Sequence, residues 1–265
     1  MGVVFLATDT TLDRPVAVKI ISPELAVNRS LADRFLAEAR LIARLRHPNI
    51  VSVYAAGTAD GMLYFVMDHV PGETLRGCLS REGRLDPPVV SKLVADIAAA
   101  LDAAARAGIV HRDIKPENIL IERTGSGPRA LLADFGIAHV MWEEGLNTGP
   151  GIAMGTPAYM SPEQAAGEPV DARSDIYSLG VVAYEMLTGK PPFDGPRRTV
   201  ISRQIVDQPP SLERARPDAP PHLVQAIERA LEKVPDARWQ TGEAFRAWSS
   251  PTTPPSVRFF DCSRS

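Results

Sequence analysis

The stretch HRDIKPENIL, His111 to Leu120, sets Asp113, Lys115 and Asn118 in one short loop that runs straight into the apolar start of a strand. Each of the three suits a different step of polar chemistry. A carboxylate can accept a hydroxyl proton, an ammonium two residues on can steady a transferring phosphate, and an amide oxygen can bind a hard cation such as Mg2+. Further along, Leu131-Leu132-Ala133 ends in Asp134-Phe135-Gly136, a carboxylate at a strand end beside a glycine that permits a turn. Asp134 and Asn118 together form a candidate metal pair.

Upstream of this loop, two charged residues interrupt apolar patterns. Lys19 sits on a strand otherwise made of Val16, Ala17, Val18, Ile20 and Ile21, and Glu38 lies on the apolar stripe Leu31, Phe35, Ile42 and Leu45 of a helix expected from Leu31 to Arg46, with Ser30 as its cap. A buried charge needs a partner, so the two are expected to pair; the alternative is that each snorkels out of its element. The same third of the chain carries strand signals at Val3 to Thr8, Ile50 to Tyr54 and Leu63 to Met67, with turns at Leu12-Asp13-Arg14-Pro15 and Ala59-Asp60-Gly61. It therefore reads as a small sheet with one helix.

After Val70-Pro71-Gly72 the pattern turns helical. A buried helix is expected from Pro87 to Ala107, with Asp86 as cap and Gly108 as stop, a second from about Asp175 to Thr188 ended by Gly189, and a third from about His222 to Glu232. Short strands around Ile119 to Ile121 and Ala130 to Ala133 flank a Thr124-Gly125-Ser126-Gly127 tip. The stretch from His139 to Ala153 has no period and is long enough for a functional loop, and from Ser250 the Pro, Ser and Thr content predicts a disordered tail.

Composition narrows the function classes. The chain has 265 residues, 45% of them hydrophobic and 23% charged, as in an ordinary soluble protein. A net charge of -3 supplies no basic field for duplex binding, so nucleic acid is not expected as a partner. Cys78 and Cys262 have no metal-ligand spacing and suit a reducing compartment. No apolar run approaches the roughly 20 residues of a membrane span, and the start MGVVFLATD lacks the features of a signal peptide, so a cytoplasmic location is expected.

Taken in order, VAVK at 16–19, HRDIKPEN at 111–118, DFG at 134–136, GTPAYMSPEQ at 155–164 and SDIYSLG at 174–180 resemble the motif series of a Ser/Thr protein kinase, and the wording MSPEQ with DIYSLG is similar to bacterial eukaryotic-like members. The resemblance covers about residues 2 to 248. It implies an α+β, two-lobed protein-kinase-like fold, with a small mainly β lobe over residues 1–70, a larger mainly α lobe over 71–249 and the tail over 250–265. It implies ATP and Mg2+, protein substrates with Ser or Thr hydroxyls, autophosphorylation and with it a homodimer.

Carried over residue by residue, the resemblance makes Lys19 the ligand of the α and β phosphates, held by Glu38. Asp113 becomes the catalytic base, Lys115 its phosphate partner, and Asn118 and Asp134 the metal ligands. Val4, Ala17 and Leu120 would enclose the adenine, with Met67 as gatekeeper and the Asp68 to Val70 backbone as hinge, although any one of these also reads as an ordinary core residue. Thr156 would bond the catalytic Asp and, with Lys115, favours Ser/Thr over Tyr. Glu163 and Arg238 would form a buried ion pair that anchors the activation segment, and Asp175 would brace the catalytic loop. Arg112 would meet a phosphate on that segment, for which Thr148 is the best acceptor, unless Glu143 and Glu144 take its place.

The chain departs from the family pattern at its start. Only Gly2 and Val4 match the end of the glycine-rich loop G-x-G-x-x-G-x-V, so the phosphate-covering hairpin is expected to lack one arm and to leave an unpaired strand edge, with position 1 an internal or misassigned start or the chain a fragment. A catalytically impaired binding module is therefore the alternative to an active kinase. Every catalytic polar residue is present, which favours activity, and GTPAYMSPEQ, which resembles a platform for protein substrates, disfavours a small-molecule phosphotransferase.

Overall fold

Alternation of β-branched and small residues in the first twenty positions builds a hairpin, β1 Val3–Asp9 and β2 Arg14–Ile20, in which Val4 lies opposite Lys19 and Leu6 opposite Ala17. The computed structural model describes residues 2–21, 29–135 and 156–249. The 139–153 loop, Thr148, Gly136 and the stretch from Ser250 lie outside the described residues. At the hairpin tip Asp9 Oδ1 accepts from the amides of Thr11 and Leu12, 3.1 and 3.2 Å away, which fixes the turn in place of a glycine.

With β3 Val53–Ala59 and β4 Met62–Asp68, the hairpin completes an antiparallel sheet of order β1-β2-β4-β3. Side chains alternate along a strand, so Ala17 and Lys19 share one face with their cross-strand partners Met67 and Phe65. Helix α1, Arg29–Ile42, covers part of that face, its Phe35 and Ala39 packing with Leu63 and Phe65; the Phe35 and Phe65 rings lie 4.4 Å apart. β1 forms the outer edge, and its Val3, Val4, Phe5 and Leu6 are exposed.

Two local expectations shift. Ser30 falls inside α1 rather than ahead of it, and the chain leaves the helix after Ile42 through two turns, consistent with the approach to Pro48; Leu45 still faces the core, as the apolar stripe requires. The strand expected from Ile50 forms later, at Val53. Residues 49–51 are used instead to tie the two halves of the molecule together: Val51 N donates to Leu132 O (3.0 Å), Leu132 N to Asn49 O (2.8 Å), and Asn49 Nδ2 to Ala130 O (2.8 Å). Apolar β-branched residues predict burial, but not which backbone they will join.

The second sheet, β5 Gly72–Thr74, β6 Ile119–Thr124 and β7 Gly127–Leu132, lies at the top of a helical body. That body is built on α3, Pro87–Arg106, and α5, Ala172–Thr188, both largely buried as expected. Gly108 and Gly189 adopt the left-handed conformation after them, with φ of 73° and 84°. Asp86 stands at the start of α3 without a side-chain capping bond. Around this pair lie α2 Leu75–Glu82, α4 Pro162–Ala166, α6 Arg197–Val206, α7 Leu212–Ala215, α8 Pro221–Ala230 and α9 Gly242–Ser249. No helix among the described residues is long and apolar enough to cross a membrane.

The contact of α9 with α3 depends on one glycine. Gly242 N donates to Asp102 Oδ1 at 2.7 Å, and a β-carbon at this position would lie 2.2 Å from the Ala98 carbonyl oxygen. We expect Gly242→Ala to lower stability by about 1–3 kcal/mol in urea unfolding, because the obstructing atom is backbone that cannot step aside; an unchanged midpoint would show that α9 is not seated on α3.

Candidate active site

The loop from His111 to Asn118 is shaped by a carboxylate beneath it. Asp175, buried in the first turn of α5, accepts from His111 N at 2.7 Å and from Arg112 N at 2.8 Å. Arg112 there adopts a φ of 66°, a left-handed conformation that a non-glycine residue holds only when its surroundings impose it. The fully buried His111 ring accepts from Asp113 N at Nδ1 (3.2 Å) and meets the Ala133 carbonyl at Nε2 (2.9 Å), so one neutral tautomer, with the proton on Nε2, satisfies both. The ring also packs 4.6 Å from that of Phe135. The loop is thereby fastened both to α5 and to the segment carrying Asp134.

Asp113, Lys115 and Asn118 converge as expected. Lys115 Nζ donates to both Asp113 carboxylate oxygens, at 2.9 and 2.7 Å, and Asn118 Nδ2 donates to Asp113 O (2.8 Å) and to Oδ2 (2.9 Å). Lys115 and Asn118 are buried, whereas the Asp113 side chain remains about a quarter exposed, at 27%, so the carboxylate is held rigidly yet reaches the cleft. The expected bond from Thr156 to Asp113 is not made. Thr156 is exposed, and among the described residues Lys115 and Asn118 are the side chains that bond this carboxylate.

Lys19 finds a carboxylate, but a different one from that expected. Its Nζ lies 2.7 Å from Asp134 Oδ1, the two side chains being 16% and 29% exposed. The expected pair with Glu38 is thus replaced: Asp134, turned by a φ of 62° at the end of β7, comes within reach of β2 and compensates the half-buried ammonium. Glu38, a residue of α1, has an interaction of its own.

Beside these polar groups, Ala17, Met67, Val70 and Leu120 gather with Val51, Leu131 and Ala133 in one apolar cluster where the two sheets meet. Asp68 N donates to Ser52 O at 2.9 Å. Val4 stays outside the cluster, more than half exposed on β1. Gly2 runs so close to β2 that a β-carbon would lie 2.1 Å from Ile20 O, so this position accepts no other residue.

The donor set fits a hard cation. Asn118 uses its amide nitrogen on Asp113, which leaves its amide oxygen, and Asp134 carries a carboxylate whose Oδ1 lies against Lys19. No group of three or more His, Cys, Asp or Glu suited to a metal occurs among the described residues. A cation here would take two protein oxygens and the rest from phosphate and water, the habit of Mg2+ rather than of Zn2+.

On the far side of the loop, Glu163 and Arg238 form the expected buried pair, Nη1–Oε1 and Nη2–Oε2 both at 2.8 Å, with Ser174 Oγ donating to Glu163 Oε1 at 2.5 Å. Arg238 also donates to the carbonyls of Glu232 and Lys233. Two further anchors escaped sequence reading. Gln164, in a capping box with Ser161, donates to Arg112 O at 2.8 Å. Arg76 spans Glu117, Glu185 and the Tyr159 hydroxyl, at 2.8, 2.7 and 2.5 Å, while that hydroxyl donates to Glu185. The available signal was Glu185, a charge inside the apolar run of α5. Arg112 Nε is buried and has no hydrogen-bond partner among the described residues.

Comparison with known proteins bears on this arrangement. Residues 1–248 match the model of the protein kinase domain. The chain is similar to Ser/Thr-protein kinase PknB of Mycolicibacterium smegmatis, 43% identical over 255 residues that make up 93% of this chain and 40% of that protein, and to Ser/Thr-protein kinase pkn3 of Myxococcus xanthus, 40% identical over 93% of this chain and 47% of that protein. It thus spans less than half the length of these curated relatives. The crystal structure of the Mycobacterium tuberculosis PknI kinase domain superposes with a TM-score of 0.74 at 32% identity, covering 94% of this chain and 90% of that one.

The buried pair gives a stability test. Burial opposes ionisation of Glu163, but the hydrogen bonds from Arg238 and Ser174 outweigh it and hold the carboxyl below its ordinary value of 4.5. A depressed folded-state value means that this stabilisation is complete above about pH 4.5 and is lost as the pH falls through the folded value. Arg238→Met is expected to cost about 3–5 kcal/mol in urea unfolding at pH 7 by leaving a buried carboxylate unpaired, and to cost less as the pH drops below 4.5. A cost independent of acid would show that the pair carries no net stabilisation.

Proposed function

The chain belongs to the protein kinase domain family, and from that premise we propose that it transfers the γ-phosphoryl group of Mg-ATP to Ser or Thr hydroxyls of protein substrates, its own included. The observation that carries this reading is the Asp113 carboxylate clamped by Lys115 and Asn118 at the mouth of a cleft whose other wall bears Lys19 and Asp134. The lobe up to about residue 70 would hold the nucleotide and the lobe from 71 to 249 the acceptor. The likeness to curated relatives named as Ser/Thr-protein kinases supports the choice of acceptor.

In this reading Asp113 orients the acceptor hydroxyl and takes its proton, while Lys115, already bonded to both oxygens, fixes that carboxylate and brings a positive charge to the phosphoryl group. Lys19 releases Asp134 and meets the α and β phosphates, with Glu38 as the carboxylate that then steadies it. Asn118 and Asp134 would hold a Mg2+ ion, which when bound would supply neutralisation of phosphate charge. Ala17, Met67, Val70 and Leu120 offer the adenine an apolar slot, with Val4 closing over it. Arg112 receives the phosphate of Thr148, its buried Nε supporting a partner from the segment outside the described residues. Autophosphorylation between two copies would make a transient homodimer.

The test is incorporation of phosphate from Mg-ATP into the chain and into a generic protein acceptor. Asp113→Asn, which keeps the shape of the loop, is expected to lower the rate at least about a hundredfold, and Lys19→Met comparably. Labelling that survives Asp113→Asn would overturn the assignment of this site, and an unlabelled wild-type chain would return the binding-module reading to the front.

A further inference from the structure

A glutamine with no part in the clamp is buried completely beneath the segment that follows Thr156. Gln204, on α6, is 0% exposed. Its Nε2 donates to the carbonyls of Pro157 (3.2 Å) and Ala158 (2.6 Å), and its Oε1 accepts from the Tyr177 hydroxyl (2.7 Å). Its main-chain oxygen accepts from Lys233 Nζ (2.8 Å), which also donates to the Tyr177 hydroxyl (2.9 Å). Burying an amide this deep is costly unless every polar atom is used, and here every one is. Both amide hydrogens go to the backbone of one short turn.

That turn emerges directly at the surface: Thr156 is exposed, Pro157 and Ala158 are partly covered, and Tyr159 is buried on the Arg76–Glu185 side. Tyr159 is thus held from one direction by charged groups and through its carbonyl by Ser178. Pro157 and Ala158, next to the exposed threonine, are held from beneath by a neutral glutamine. Hydrogen bonds to carbonyls fix peptide planes, so they decide the direction in which Thr156 and its neighbours present themselves to an incoming chain.

We propose that Gln204 is a positioning residue for the protein acceptor, setting through Pro157 and Ala158 the surface on which the acceptor chain docks, while nucleotide binding proceeds independently of it. This rests on the kinase reading above. Tyr177 supports it by holding Gln204 Oε1, which leaves the amide hydrogens pointing at the two carbonyls.

The test is steady-state kinetics on the full 265-residue chain, with a Ser/Thr-containing peptide chosen because the unaltered chain phosphorylates it. Gln204→Leu keeps the volume and removes the hydrogen bonds; KM for the peptide is expected to rise about tenfold while KM for ATP stays put. Tyr177→Phe is expected to move the peptide KM in the same direction by less. An unchanged peptide KM, or one that rises together with that for ATP, overturns the proposal. If Gln204→Leu does not fold, as thermal melting would reveal, Tyr177→Phe decides by the same criterion. Labelling of the unaltered chain itself is read separately: its absence removes the kinase reading and this inference with it, whereas self-labelling with an unmoved peptide KM removes the inference alone.

Discussion

The carboxylate of Asp175 is the constraint on which the site depends. Burial pushes it above its ordinary value of 3.8, against the pull of His111 and of the two amides it accepts, and those short bonds hold Arg112 in a left-handed conformation that costs a non-glycine residue about 1–3 kcal/mol. With that turn made, Asp113 leaves the loop toward the cleft, His111 turns back to bond Ala133, and Arg112 O is offered to Gln164. Three separate segments, the loop, the strand end with Asp134 and the short helix α4, are therefore registered against one helix. A geometry repeated through so many contacts has no soft direction in which the Asp113 carboxylate could drift.

Much of this was legible because it rests on residues that are out of place in their own element. Lys19 in an apolar strand and Glu38 on an apolar stripe announce that partners exist, and burial rules go no further: which carboxylate Lys19 meets depends on the φ of Asp134, a backbone property that no local pattern encodes. Glu185 and Gln204 carry the same kind of signal, polar groups in helices that bury them, yet their partners come from Arg76, Tyr159 and Tyr177 at long sequence distance. The long periodic helices α3 and α5 were readable throughout, since nearly every residue contributes. Short elements such as β5, α4 and α7 have too few residues to show a period, and tertiary contacts decide them.

The two walls of the cleft are built on different physics. On the side of Lys19 and Asp134 the groups are charged and only partly withdrawn from water, so their pairing can be exchanged at modest cost. Around the segment from Thr156 to Glu163 the supports are buried: Glu163 with Arg238, Tyr159 with Glu185, Gln204 with two carbonyls. Breaking any of those would strand a polar group away from water, so this wall is rigid. One side accommodates, and the other serves as a template.

The backbone tie at residues 49–51 has a mechanical meaning. Because Asn49 and Val51 are stitched to Ala130 and Leu132, the small sheet cannot slide over the helical body along that line; it can only tilt about it. Asp134 lies just past the end of β7, near this axle, whereas the β1–β2 tip lies toward the free rim of the sheet. A given angular swing therefore displaces the rim much farther than Asp134, so the sheet can lift like a hinged cover with little displacement at its inner end.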